Sequence, residues 1–151
     1  MSLEKLVADA KSLGMFYAKD WGALLCGLQA DGEIYLHGPS DERKESMQNA
    51  FEIMNGFYQD IPFNDLKDKK YEPLFVVRDL LPKVHDHLVR FIEKPSETSY
   101  QALFELTVKV HEAGQIYRKY FDNALEAVKS HPNGKSYQMS LTGITGTKWQ
   151  Y

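Results

Sequence analysis

The chain has one cysteine in 151 residues, no apolar run of bilayer-spanning length and no surplus of positive charge. Each absence removes a class of answer. A lone Cys26 forms no internal disulfide and no cysteine-rich metal site. Its neighbours Leu24, Leu25 and Leu28 predict a small buried residue, since a nucleophilic thiol needs a base beside it. Without about 18 consecutive apolar residues the sequence offers no membrane-spanning helix. The start, Met1-Ser2-Leu3-Glu4-Lys5, lacks the apolar segment of a secretion signal, so the expected location is the cytoplasm. A formal charge of −3 supplies no overall attraction for nucleic acid, and Lys67, Lys69 and Lys70 are interrupted by Asp68, as in a solvated loop.

Chemical motifs are equally sparse. Gly32, Gly38, Gly143 and Gly146 lack the lysine and hydroxyl residue of a phosphate-binding loop. Asp31-Gly32 lacks the spaced acids of a calcium loop, and no serine occupies a Gly-x-Ser-x-Gly elbow. The five histidines include no Glu-x-x-His and no His-Glu-x-x-His, and His85 and His87 point to different sides of any helix. The expectation is therefore no metal and no cofactor.

What is present is helical rhythm. Hydrophobic residues at 43% and charged residues at 26% are the composition of a folded domain, and aromatics are plentiful at 13%. Leu74, Val77, Leu81, Val84, Leu88 and Phe91 form one seven-residue seam; Leu103, Leu106, Val110, Ala113, Tyr117, Tyr120, Ala124 and Ala127 form another. With Pro95 between them, the two predict an antiparallel helical hairpin over 72–94 and 97–130, and Pro82 should bend its first arm. Helices are also expected at 3–18 and at 40–59, the latter capped by Ser40. Thr98 with Gln101 suits a capping box at the last helix.

Residues 21–37 are ambiguous. Trp21, Leu24, Leu25 and Leu28 fit a helix, but Asp31-Gly32 followed by alternating Ile34 and Leu36 favours a β-hairpin over 23–37. The tail at 136–151 alternates again through Tyr137, Met139 and Leu141, and reads as a second hairpin or a flexible tail beyond a helix-rich domain at 1–135. The expected fold is α+β and helix-dominated, with an all-α four-helix bundle as the alternative.

Two constellations are candidate sites. Ala113-Gly114 thins the last helix in the middle, where His111, Gly114 and Tyr117 are the expected ligand-binding residues of an aromatic-lined pocket. Arg78 and His85, seven residues apart, share one flank of their helix. The eight residues Arg78 to His85 resemble the Arg-x4–6-His motif of HEPN-type ribonucleases, helical bundles that often dimerise and cut RNA without metal. The resemblance implies that His85 handles the proton and Arg78 stabilises charge on the phosphate. The bland reading is that Arg78 pairs with Asp79 or Glu72 while His85 packs at the rim. No coherent catalytic set emerges. The favoured reading is a non-catalytic protein-binding or regulatory module, self-associating as a dimer or higher homo-oligomer, with no membrane partner. The alternative is the metal-independent ribonuclease, the only reading that calls for nucleic acid.

Overall fold

The computed structural model describes residues 2–17 and 21–134. Five α-helices follow one another: α1 Leu3–Met15, α2 Trp21–His37, α3 Asp41–Gln59, α4 Glu72–Glu93 and α5 Glu97–Ser130. Two 3-10 turns, Phe63–Asp65 and Lys69–Tyr71, lie in the connection between α3 and α4. The expected hairpin or tail at 136–151 lies outside the described residues.

Helix α5, with 34 residues, is about 50 Å long and serves as the spine. Helix α4 folds back along it, and their buried seams meet as the spacing predicts, with Leu74, Val77, Leu81, Val84, Leu88 and Phe91 facing Leu103, Leu106, Val110, Ala113 and Tyr117. Beyond Tyr117 the seam departs from its strict seven-residue rhythm. Phe121 is buried in place of Tyr120, which is 36% exposed. A straight helix drifts about 20° per heptad against a seven-residue repeat, so burial passes to the next residue. The turn into α5 is closed by Ser96 and Ser99, which satisfy each other's backbone N–H groups at 3.0 Å. They take the place expected of Thr98 and Gln101. Helix α4 runs through the exposed Pro82 from Glu72 to Glu93 without a break.

The β-hairpin expected at 23–37 is not there, and no strand occurs among the described residues. Residues 21–37 are one helix of 17 residues. Its burial follows helical spacing: Leu25, Leu28, Gly32 and Tyr35 turn inward, while Ile34 is 47% exposed. Asp31 and Gly32, the supposed turn, are used for packing instead. The Asp31 carboxylate accepts from Arg43 Nη1 at 2.8 Å and from Ser46 Oγ at 2.5 Å, tying α2 to α3. Gly32 admits the ring of Tyr100, because a Cβ there would stand 2.8 Å from Tyr100 Cε1. The same helical phase turns Cys26 outward, against the expectation of burial.

Helices α1 and α2 run one after the other alongside α5, in the opposite direction. Val7 and Ala10 pack on Val128, the Tyr117 hydroxyl donates to the Leu13 carbonyl, and Gln29 Nε2 donates to Thr107 Oγ1 at 2.8 Å. Near the α4–α5 turn, the Tyr35 hydroxyl donates to the Ile92 carbonyl at 3.0 Å. Ser40 caps α3 as its sequence predicts, accepting from Arg43 N at 3.2 Å. The described fold is thus all-helical, and α2 is the fifth helix, in place of the expected hairpin.

Three tyrosines, Tyr58, Tyr71 and Tyr117, are buried together where α1, α3 and the α3–α4 connection meet α5. Tyr71 exchanges a hydrogen bond with Ser12. Burial pushes the Tyr58 phenol well up, and burial reinforced by Tyr71 and Tyr58 does the same to Tyr117. The folded state therefore holds these protons more tightly than the unfolded chain. Their contribution to stability is complete below the ordinary tyrosine value of 10.0 and is lost as pH rises beyond it. Urea midpoints followed by circular dichroism should fall above that pH. Tyr117→Phe should be weaker at neutral pH by about 1 kcal/mol for its lost hydrogen bond, and its alkaline decline should be shallower.

Candidate binding groove

The seams of α4 and α5 leave a second apolar stripe on each helix. On α4 it is Pro73, Val76 and Leu80; on α5 it is Ala113, Ile116 and Tyr120. Both repeat the three-then-four spacing of a helix face, offset from the seam by about one residue. The stripes converge because α4 and α5 are antiparallel, and because Ala113 puts only a methyl group between them. The result is a groove of about 470 Å³ on the outside of the hairpin, floored by Ala113. Its walls are unusually open for apolar side chains: Val76 is 44% exposed and Ile116 53%. A smaller depression of about 330 Å³, formed by Ile116, Lys119, Tyr120 and Asn123, continues it along α5.

Charge lies at the margins. Glu72 stands at the start of α4, Lys109 and Glu112 stand beside Leu80 on α5, and Lys119 flanks the far depression. The groove thus has an apolar floor and a rim that carries both signs of charge.

The residues expected to form a pocket at the middle of α5 do not converge. Tyr117 is buried in the seam, its hydroxyl spent on the Leu13 carbonyl. His111 is exposed and faces α2, where a Cβ on Gly22 would lie 3.9 Å from its Cε1. Gly114 is half-buried between these directions. Only its neighbour Ala113 reaches the groove. Each step of three residues turns the helix back by about 60°, so 111, 114 and 117 fan over about 120°, from the α2 side at His111 to the buried seam at Tyr117, and none of them lines the groove.

Arg78 and His85 do lie on one flank of α4, separated by about 10 Å of helix rise. Each is engaged elsewhere. The Arg78 guanidinium rests 4.9 Å from the Phe63 ring centroid and 4.8 Å from that of Phe75, and its Nε donates to Asp79 Oδ1 at 3.1 Å. His85 lies against the Phe51 ring at 5.2 Å, on the wall of a shallow cleft between α3 and α4. A phosphate bridging the two would have to draw Arg78 off its aromatic seat. Among the described residues no group of three histidine, cysteine or acidic side chains could hold a metal ion. No helix of the described residues is long and apolar enough to cross a membrane.

Val76, Leu80 and Ile116 were invisible to a reading built on one seam per helix. The signal that finds them is the second three-four register, 73-76-80 and 113-116-120. Compared with known proteins, the chain matches no family model, no curated protein and no solved structure.

Proposed function

We propose that the protein is a non-catalytic helical binding module whose working surface is the α4–α5 groove. One observation carries this reading: beside its buried seam each arm of the hairpin leaves apolar side chains open to solvent, Val76 on α4 (44% exposed) and Ile116 and Tyr120 on α5 (53% and 36%), and they share one groove. A scattered apolar residue on a surface is ordinary, and Ile34 and Val89 are of that kind. A contiguous groove walled by Val76, Leu80, Ile116 and Tyr120 is not. Covering these half-exposed side chains yields on the order of 1 kcal/mol each. That is enough, with the charged rim, for a specific and reversible contact.

The fluorescent probe 1-anilinonaphthalene-8-sulfonate tests the reading. At low micromolar protein its emission should rise and shift to the blue on the native chain. Ile116→Lys, at the most exposed apolar position of the groove, should remove most of that rise while leaving helicity and unfolding midpoint unchanged. An absence of enhancement on the wild-type chain, or equal enhancement on the variant, overturns it.

A further inference from the structure

Resting on the groove reading above, we infer that the occupant of the α4–α5 groove is a second copy of this chain, docked about a two-fold axis at the level of Val76 and Ile116. The argument begins with register. Helices α4 and α5 are antiparallel, with Phe91 and Tyr100 in ring contact at 5.6 Å beside their turn. Moving equally far along both helices from that contact brings Val76 level with Ala113-to-Ile116, as the shared lining of the groove requires. The two most exposed apolar residues of the groove, Val76 at 44% and Ile116 at 53%, therefore stand at its centre. A two-fold axis through this level lays each α5 antiparallel on the other and puts Ile116 against Ile116.

Charge then decides the orientation. On the face of α5 that lines the groove, Glu112 lies four residues before Ile116 and Lys119 three residues after it. In the antiparallel pairing Glu112 of one copy meets Lys119 of the second, and the symmetry repeats this on the other side. Lys109 meets the neutral Asn123 by the same rule. The stripe is self-complementary: reversed on itself, it sets opposite charges together and like charges apart. A parallel docking of α5 on α5 would instead stack Glu112 on Glu112 and Lys119 on Lys119.

Area sets the strength. From Lys109 to Asn123 the stripe is about 21 Å long, and two helices side by side are about 20 Å wide. Each copy then covers about 400 Å², or about 800 Å² in all, well under the roughly 1,600 Å² of a standard stable interface. An interface of that size belongs to weak, transient contacts, so monomer and dimer should exchange at concentrations on the order of tens to hundreds of micromolar.

Sedimentation equilibrium of the full chain, from about 5 µM to 500 µM, reads this directly. The wild type should pass from monomer to dimer within that range, and Ile116→Lys should stay monomeric. Glu112→Lys and Lys119→Glu should each weaken association about tenfold, since each creates two like-charge contacts worth up to about 1 kcal/mol apiece. The double variant carrying both reversals should return to within about threefold of wild type, a recovery that a folding defect would not produce. A wild-type chain that stays monomeric throughout overturns the second copy as occupant. So does association that Ile116→Lys leaves intact, or a double variant no better than the single ones. Dye binding at the groove by a strictly monomeric chain would overturn this inference alone, whereas loss of dye binding overturns the groove reading beneath it.

Discussion

Phe91→Ala should destabilise the protein by about 3–5 kcal/mol, the usual cost of emptying a fully buried aromatic site. Phe91 is fully buried, and it stands where three helices meet. Its ring lies 5.6 Å from that of Tyr35 on α2 and 5.6 Å from that of Tyr100 on α5. Neither neighbour is free to collapse into the space. The Tyr35 hydroxyl is held by the Ile92 carbonyl at 3.0 Å and the Tyr100 hydroxyl by the Gln29 carbonyl at 2.9 Å. A site whose walls are pinned keeps its cavity, so the loss should fall toward the upper end of the range. For a chain of this size that is a fall in Tm of about 10 °C or more. Thermal unfolding followed by circular dichroism reads it. A fall of only a degree or two would mean that α2 does not pack on the α4–α5 turn as described.

The second large effect concerns Gly32. In an exposed helix interior, glycine to alanine stabilises by up to about 1 kcal/mol. Here the sign should reverse. The added Cβ would be 2.8 Å from Tyr100 Cε1 and 3.8 Å from Phe91 Cε2. Tyr100 cannot swing aside without giving up its bond to the Gln29 carbonyl and its packing on Phe91 and Phe104. Overpacking of this kind costs about 1–3 kcal/mol, which exceeds the gain in helix propensity. Gly32→Ala should therefore lower the unfolding midpoint, and Gly32→Val should lower it further. In a Tyr100→Ala background the obstacle is gone, and Gly32→Ala should turn neutral or stabilising. That change of sign is the decisive reading of a double-mutant cycle. If Gly32→Ala stabilises both backgrounds, Gly32 does not lie against Tyr100.

Gly32 also shows where the sequence was legible and where it was not. The hairpin of α4 and α5 could be read directly, because its seams repeat over many turns and Pro95 marks the reversal, although the capping pair is Ser96 and Ser99 and not Thr98 and Gln101. Helix α3 could be read from Ser40 and its apolar face. Helix α2 could not, because Asp31-Gly32 carries the local signature of a tight turn. What overrides that signature is distant in sequence: Tyr100 fills the space that Gly32 leaves open, and Arg43 and Ser46 claim the Asp31 carboxylate. Propensity is a weak constraint where tertiary contacts satisfy the same residues in another conformation.

The candidate site was half legible for a related reason. Ala113 and Gly114 mark the thin part of α5, and the groove does open over Ala113. His111, Gly114 and Tyr117, the residues expected there, do not line it. Tyr117 follows Ala113 in the buried seam, and its hydroxyl crosses to α1 instead of facing a ligand. Arg78 and His85 likewise share a flank by spacing alone. Phe63, brought back onto α4 by the α3–α4 connection, occupies the guanidinium, and no feature of 78–85 announces it. Helical periodicity assigns faces; what each face meets depends on elements far away in the chain.

The proposed binding face is the α4–α5 groove, and no other apolar surface of the described residues. Methyl-resolved NMR with the naphthalene sulfonate probe tests it most directly. Ile34 and Val89, 47% and 38% exposed on other faces, are internal controls for non-specific adsorption. On titration at low micromolar protein, the methyl signals of Val76, Leu80 and Ile116 should move together along one saturable curve, while those of Ile34 and Val89 stay in place. Shifts centred on Ile34 or Val89, or none at Ile116, would contradict it.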